Sequence, residues 1–406
     1  VSDKPLSSQS ARLASIDAFR GLTILLMIWV NDVASVAGTP WWMRHMPTDA
    51  DGMTFVDLVF PAFLFIVGMA IPFALDRRLD RGATMSATVG HVLLRTAGLL
   101  IAGVFMVNMD SLDAEATGMS RPVWTLLVYG GIILVWNMYP KSGTRTAPLF
   151  WLLRGAGIVL LGYLATIYRA KAEDGTLLHL RPMWWGILGL IGWAYLTVCI
   201  FYLPLRRQPA ALVGVVALLH LLNIASRNGA LDWAEPVSRW VSLGGAIGGH
   251  GSITAAGVVL GMLFMRESPA TTHGDRLRWM AWFGLALIVA GLLVWHPYKI
   301  SKDHATPAWC MISAGLCCYL FGVCYYLLDV RGWKAWALSL RPAGENPLLA
   351  YILAPIIYAC FQMAGVNPLR QVAGEGWPGI GMSAVFAIVV VLLTGLLGRM
   401  GLRLRF

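Results

Sequence analysis

The 406-residue chain is 58% hydrophobic and 13% charged, with a mean hydropathy of +0.67 and a formal net charge of +10. A soluble domain carries roughly 25% charged residues, and this composition would give it apolar patches well beyond the few hundred Å² that soluble monomers tolerate. Soluble folds are excluded, and runs of about 18–20 apolar residues exclude the shorter alternating strands of a barrel, which leaves an all-α, polytopic transmembrane helical bundle.

In chain order the apolar runs predict about twelve spans, within a range of ten to twelve. They lie near 18–38, 55–75, 90–109, 122–139, 147–168, 182–204, 210–225, 241–265, 278–296, 307–328, 347–365 and 379–398, the seventh being the shortest. The first twenty residues are polar, so no cleavable signal peptide is expected and the first span is read as a retained anchor. Residues 1–17 are read as a cytoplasmic N-terminal segment, and the whole of 1–406 as one transmembrane domain. With the N-terminus inside, the inward segments collect about twice as many Lys and Arg residues as the outward ones. Lys4, Arg12, Lys141, Arg145, Arg266 and Arg399 are among them. That bias predicts an even number of spans with both termini cytoplasmic. Short basic clusters between apolar runs are topology determinants, so nucleic acid is not an expected partner; the bilayer is.

The six cysteines all lie in apolar runs and none forms a CxxC, so they read as packing residues, with no metal site and no disulfide framework. P-loop, HExxH and GxSxG patterns are absent from the sequence.

Two outward segments carry unusual chemistry for connecting turns: GTPWWMRHMPTDADGMTFVD at 38–57 and HPYKISKDHATPAW at 296–309. Polar groups at membrane depth cost about 2.5–3.5 kcal/mol each on insertion scales. Asn31 and Asp32 nevertheless interrupt the outer half of the first span, and Asp57 opens the second. The loop between these spans brings their outer ends together, so Asn31, His45 and Asp57 are expected to be near one another. A histidine beside a carboxylate is a general-base arrangement, because the carboxylate fixes the tautomer. The alternative is that Asp57 caps its helix and His45 is a solvated loop residue.

Other candidates each have two readings. Asp17 and Arg20 are spaced i,i+3 and form either a helix-surface ion pair or part of an acyl-donor site. Lys299 and Lys302 bind an anion or extend to the interface. Trp41 and Trp42 offer stacking faces to a sugar or anchor the interface. Asn346 binds substrate or caps a helix. Arg95 and Arg154 have no partner nearby in sequence. His220 and His250 lie in apolar runs and are read as packing histidines with satisfied rings.

RLASIDAFRGLTILLMIWVND, then His45, then DGMTFVDLVFPAFLFIVGMAIPFAL resemble the heparan-α-glucosaminide N-acetyltransferase family, including its bacterial, NagX-type transmembrane acyltransferases. PYKISKDHATPAW, YYLLDVRGW and GENPLLAY resemble later blocks of that family. The resemblance implies a membrane-embedded acetyltransferase, using cytoplasmic acetyl-CoA to acetylate a sugar or amino sugar on the far side of a bacterial inner membrane. It assigns the functional histidine to His45, the asparagine of the preceding span to Asn31 and the aspartate of the block to Asp57. Two departures stand out. HMPTDADG lacks the family's Trp and is longer, and GGAIGGHGSI replaces its Asp-Pro-Glu-Gly segment. Residues 120–170 resemble an added pair of spans. Acceptor identity, N- against O-acetylation and monomer against homo-oligomer stay open. The rival from another class is a transporter for a sugar or envelope intermediate, without chemistry.

Overall fold

The computed structural model describes residues 13–140, 147–265, 268 and 270–406. Lys4, Arg12, Lys141, Arg145 and Arg266, and residues 1–12 of the N-terminal segment, lie outside the described residues. Each of the twelve predicted spans falls on a helix: α1 (Ala14–Val33), α2 (Val56–Asp80), α3 (Met85–Val107), α4 (Arg121–Trp136), α5 (Ala147–Ile167), α6 (Gly186–Leu205), α7 (Pro209–Arg227), α8 (Leu243–Met262), α9 (His273–Leu293), α10 (Pro307–Tyr325), α11 (Pro347–Met363) and α12 (Gly376–Arg399). Ten helices among the described residues are long and apolar enough to cross a membrane. The 16-residue α4 and 17-residue α11 are shorter, about 24–26 Å at 1.5 Å per residue, below the ~30 Å hydrocarbon core. The one sheet among the described residues is a two-stranded hairpin, Ala170–Lys171 with Leu177–Leu178.

Local chemistry explains several helix ends. Thr272 and Asp275 form a reciprocal capping box on α9. Thr306 accepts from the Trp309 amide, and Pro307 pre-sets the first turn of α10. Helix α1 begins earlier than its hydropathy indicates, because the Asp329 carboxylate accepts from the Ala14 and Ser15 amides at 3.1 and 3.0 Å. It ends at Val33, so Asn31 and Asp32 sit in its last turn. The seventh span, weakest in the sequence, is a full 19-residue helix.

The chain divides into two compact units. The first comprises residues 1–23, 40–96 and 190–341, hence α2, α7–α10, most of α6 and the first parts of α1 and α3. Its centre is α8 against α2. Gly68 and Gly257 let the two backbones touch: a Cβ at Gly257 would run into the Phe65 carbonyl, and one at Gly68 into the Thr254 carbonyl. Gly257 and Gly261 are spaced four apart, the small-residue pattern that brings membrane helices close. The first eight residues of α8, Leu243–His250, wind as a π-helix. Gly248 faces the Asn223 amide and Leu219 carbonyl of α7, 2.8 and 2.9 Å from where its Cβ would lie. In this unit Arg95 lies 4.6 Å over the Tyr195 ring, a partner the linear sequence conceals.

The second unit comprises residues 24–39, 97–189 and 342–406. Helices α4 and α5 pair through Gly131 and Gly157, and Arg154 stacks 5.5 Å over Tyr139. Asp32 is held by Arg370, whose Nη2 donates to its carboxylate at 2.8 Å and to Ser35 Oγ at 2.7 Å, and by the Tyr358 hydroxyl. Asn346 donates to the Leu402 carbonyl at 2.8 Å and accepts from the Leu404 amide at 3.1 Å, tying down the C-terminal segment.

Candidate functional site

In the first unit the two unusual loops meet. Gly52 donates to the Ile300 carbonyl at 2.9 Å. Asp51 Oδ1 accepts from the Trp295 indole and the Ile300 amide, both at 2.8 Å. Thr48 donates to Asp303 at 2.8 Å, and Ser301 Oγ to the Thr48 carbonyl at 3.3 Å. The Ile300 amide and Trp295 indole hold the Asp51 carboxyl below the usual carboxylate range. Asn223 of α7 braces the second loop by donating to the Ala305 carbonyl at 2.9 Å. The turn carrying Lys302 is bounded by two non-glycine residues at positive φ, Lys299 (+55°) and Ala305 (+46°). Such conformations cost of order 1 kcal/mol or more each and collect where geometry serves function.

This junction sets three ionisable groups together. His45 Nδ1 lies 2.6 Å from Asp57 Oδ1. Lys302 Nζ stands 3.0 Å from that nitrogen and 3.7 Å from the carboxylate oxygen, although 257 residues separate it from His45. Asp57 is 1% exposed and His45 41% exposed. The carboxylate is thus hidden, while the imidazole it holds has an open face. His45 follows the loop to the surface.

Hydrogen-bond accounting assigns the tautomer. Asp57 Oδ2 accepts from the Met46 amide at 3.2 Å and the Thr54 amide at 3.1 Å. With amides on one oxygen and an ammonium near the other, Asp57 is an ionised acceptor. Nδ1 of His45 therefore carries the proton and donates it to Asp57, leaving the Nε2 lone pair free. The lysine ammonium has no lone pair to accept from Nδ1–H, so its role is a positive charge beside the carboxylate.

Asp57 is not the N-cap of α2, which is Phe55 without a side-chain cap; it reaches back from the first turn to amides before the helix. The capping reading is thus corrected: Asp57 is a first-turn acid matched to the helix dipole, and its other oxygen bonds His45. Trp41 and Trp42, 74% and 44% exposed, stand beside the site in sequence, with Trp42 6.0 Å from Phe55. Lys299 is exposed and contributes charge near Asp51. Asp17 and Arg20 form a 3.7 Å ion pair in the same unit. Asn31 and Asn346 belong to the second unit, Asn31 exposed on α1 and Asn346 buried with the C-terminal segment.

Sequence reasoning missed Asp51 and Thr48 as the fasteners of the two loops; their only signal was an acidic, proline-bearing loop. It also misread two histidines. His220 and His250 are buried, but both nitrogens of His220 and Nδ1 of His250 have no hydrogen-bond partner among the described residues. Packing fills the space around these rings without satisfying their polar atoms. No group of three or more His, Cys, Asp or Glu among the described residues has metal-binding spacing.

Fold and site together define a multi-pass, all-α membrane protein with a His–Asp–Lys group where two inter-helix loops join. The chain belongs to the family described as "Domain of unknown function (DUF5009)", which matches residues 12–244. It is similar to heparan-alpha-glucosaminide N-acetyltransferase of Homo sapiens, 36% identical over 103 residues, and of Mus musculus, 37% identical over 101 residues. Each match covers 25% of this chain and 15% of the relative, so it spans about one seventh of the curated relatives' length. The resemblance read from the opening motifs holds at the level of family.

Proposed function

We propose that the protein is a transmembrane acetyltransferase that moves an acetyl group from acetyl-CoA at the inner membrane face to a sugar or amino sugar at the outer face. The cellular site is a bacterial inner membrane, with both termini cytoplasmic and the two joined loops outside. The observation that carries this reading is the 2.6 Å His45–Asp57 pair with Lys302 alongside. It leaves an accessible Nε2 lone pair next to an oriented, buried carboxylate, as a base or nucleophile in acyl transfer requires.

Nε2 takes the proton of the attacking amine or hydroxyl, or carries the acetyl group in passing. Asp57 holds the ring and stabilises the imidazolium that forms. Trp41 and Trp42 give a sugar two exposed ring faces. Lys299 attracts an anionic acceptor, and Asp17 and Arg20 are assigned to the donor's path. The similarity to named acetyltransferases supports an enzyme over a carrier.

The deciding experiment is a proteoliposome assay with acetyl-labelled acetyl-CoA and glucosamine. Covalent label on glucosamine with the wild type, and none with a folded His45→Ala variant, is the expected result. Full turnover by His45→Ala, or glucosamine crossing unmodified, overturns the reading.

A further inference from the structure

Deeper in the first unit, two strips of helix descend from the His45 site and meet at a second imidazole. Phe60 lies three residues beyond Asp57 on α2, about 4.5 Å along the helix axis. Its ring packs edge-on against His250, centroids 5.3 Å apart. Trp309, in the first turn of α10 just after the Lys302 loop, packs edge-on against the same imidazole at 6.2 Å. His250 is 6% exposed and Trp309 is fully buried. Nδ1 of His250 and Nε1 of Trp309 have no hydrogen-bond partner among the described residues. One turn further along α10, the buried Ser313 hydroxyl is likewise without a partner.

A buried polar atom left without a partner is destabilising, and apolar replacements would remove that cost. The backbone is also shaped for this imidazole. His250 ends the π-helical turn of α8, a distortion frequent at functional sites. Gly249 brings that turn against the start of α10: its Cβ would sit 3.1 Å from Cys310 Sγ and 3.2 Å from the Ala305 carbonyl. A larger residue there would push His250 away from Trp309.

The ligand these atoms fit is an acceptor. Indole only donates, and a neutral imidazole keeps one N–H. A carbonyl oxygen has two lone pairs and no proton, and it gains charge as its carbon is attacked. Resting on the acyl-transfer function proposed above, we propose that His250 and Trp309 donate hydrogen bonds to the thioester carbonyl oxygen, beneath His45. The acceptor's lone pair attacks the carbonyl carbon, and the C=O π pair moves onto the oxygen held by these N–H groups. The pair then returns, the C–S bond breaks with its electrons on sulfur, and the proton taken by His45 passes to the thiolate.

Trp309→Phe removes the indole N–H and keeps an aromatic ring; His250→Phe does the same for the imidazole; His250→Gln restores a donor. Isotope-edited infrared difference spectra of carbonyl-labelled acetyl-CoA bound to purified protein read the bond directly. The expected result is a carbonyl stretch lower in the wild type than in either Phe variant. Turnover with glucosamine falls on the order of 100-fold, KM for acetyl-CoA moves less than about threefold, and His250→Gln recovers part of the loss. An identical stretch in wild type and Trp309→Phe, unchanged Trp309→Phe turnover, or failure of acetyl-CoA to bind overturns the proposal. A variant-sensitive carbonyl shift in a wild-type protein that transfers no acetyl group sustains this carbonyl site and refutes the acyl-transfer function instead.

Discussion

Replacing Asp57 by asparagine exchanges one oxygen for an NH₂ and leaves the side chain's shape intact. Two orientations of the new amide are available. With its oxygen toward His45, the NH₂ would face the Met46 and Thr54 amides, which now donate to Asp57 at 3.2 and 3.1 Å. That makes two donor-to-donor contacts, each costing about 1–3 kcal/mol. With its NH₂ toward His45, both amides keep their acceptor, and the ring relieves the single conflict by moving its proton from Nδ1 to Nε2. The second orientation wins, and the nitrogen needed as base or nucleophile is then capped by hydrogen. The same exchange in a Ser–His–Asp triad costs about 10⁴ in turnover through the wrong tautomer. The expected loss here is 10³–10⁴-fold, about 4–5.5 kcal/mol of barrier. The fold should lose only about 1–3 kcal/mol, the worth of one charge-assisted hydrogen bond. Acetyl transfer to glucosamine, normalised to monodisperse protein and paired with a thermal melt, measures both. A folded Asp57→Asn protein with turnover within threefold of wild type would refute the tautomer argument.

Lys302→Met leaves the buried carboxylate without its cation; turnover is expected to fall about 10–100-fold, or roughly 1.4–2.7 kcal/mol, in the same assay, and an unchanged rate would make Lys302 a bystander. The Asp51 carboxyl is depressed in the folded state by its bonds to Ile300 and Trp295. Its stabilisation of the loop junction is therefore fully present above the unfolded value of about 3.9 and is lost as pH falls through the lower folded value. The gap in melting midpoint between wild type and Asp51→Asn should accordingly shrink as pH drops from about 5 to about 3, and a constant gap would contradict the assignment. Gly257→Leu forces a side chain into the Phe65 carbonyl and should abolish monodisperse protein on gel filtration; a wild-type elution profile and melt would show that α2 and α8 do not need to touch.

Much of the site was legible because its pieces have local signatures. Asp57 stood out as a carboxylate opening an apolar run, and His45 as an imidazole in the preceding loop. Their pairing required only a short loop and a helix start, 12 residues apart. Lys302 was legible as an unusual charge but not as their neighbour, since nothing near it in sequence names a partner. The apolar setting of His250 suggested satisfied packing, because hydropathy cannot tell whether a ring nitrogen has found an acceptor. Arg95 and Asn346 had the opposite problem: their partners, Tyr195 and the Leu402–Leu404 backbone, lie far along the chain.

Sequence alone determined the solvent and the helices, because hydropathy summed over about twenty neighbouring residues decides whether a segment enters a bilayer. The meeting of the 38–57 and 296–309 loops was decided by tertiary structure. Closing that separation depends on backbone contacts such as Gly52 to Ile300 and on the close glycine packing of α2 with α8, which no local pattern encodes.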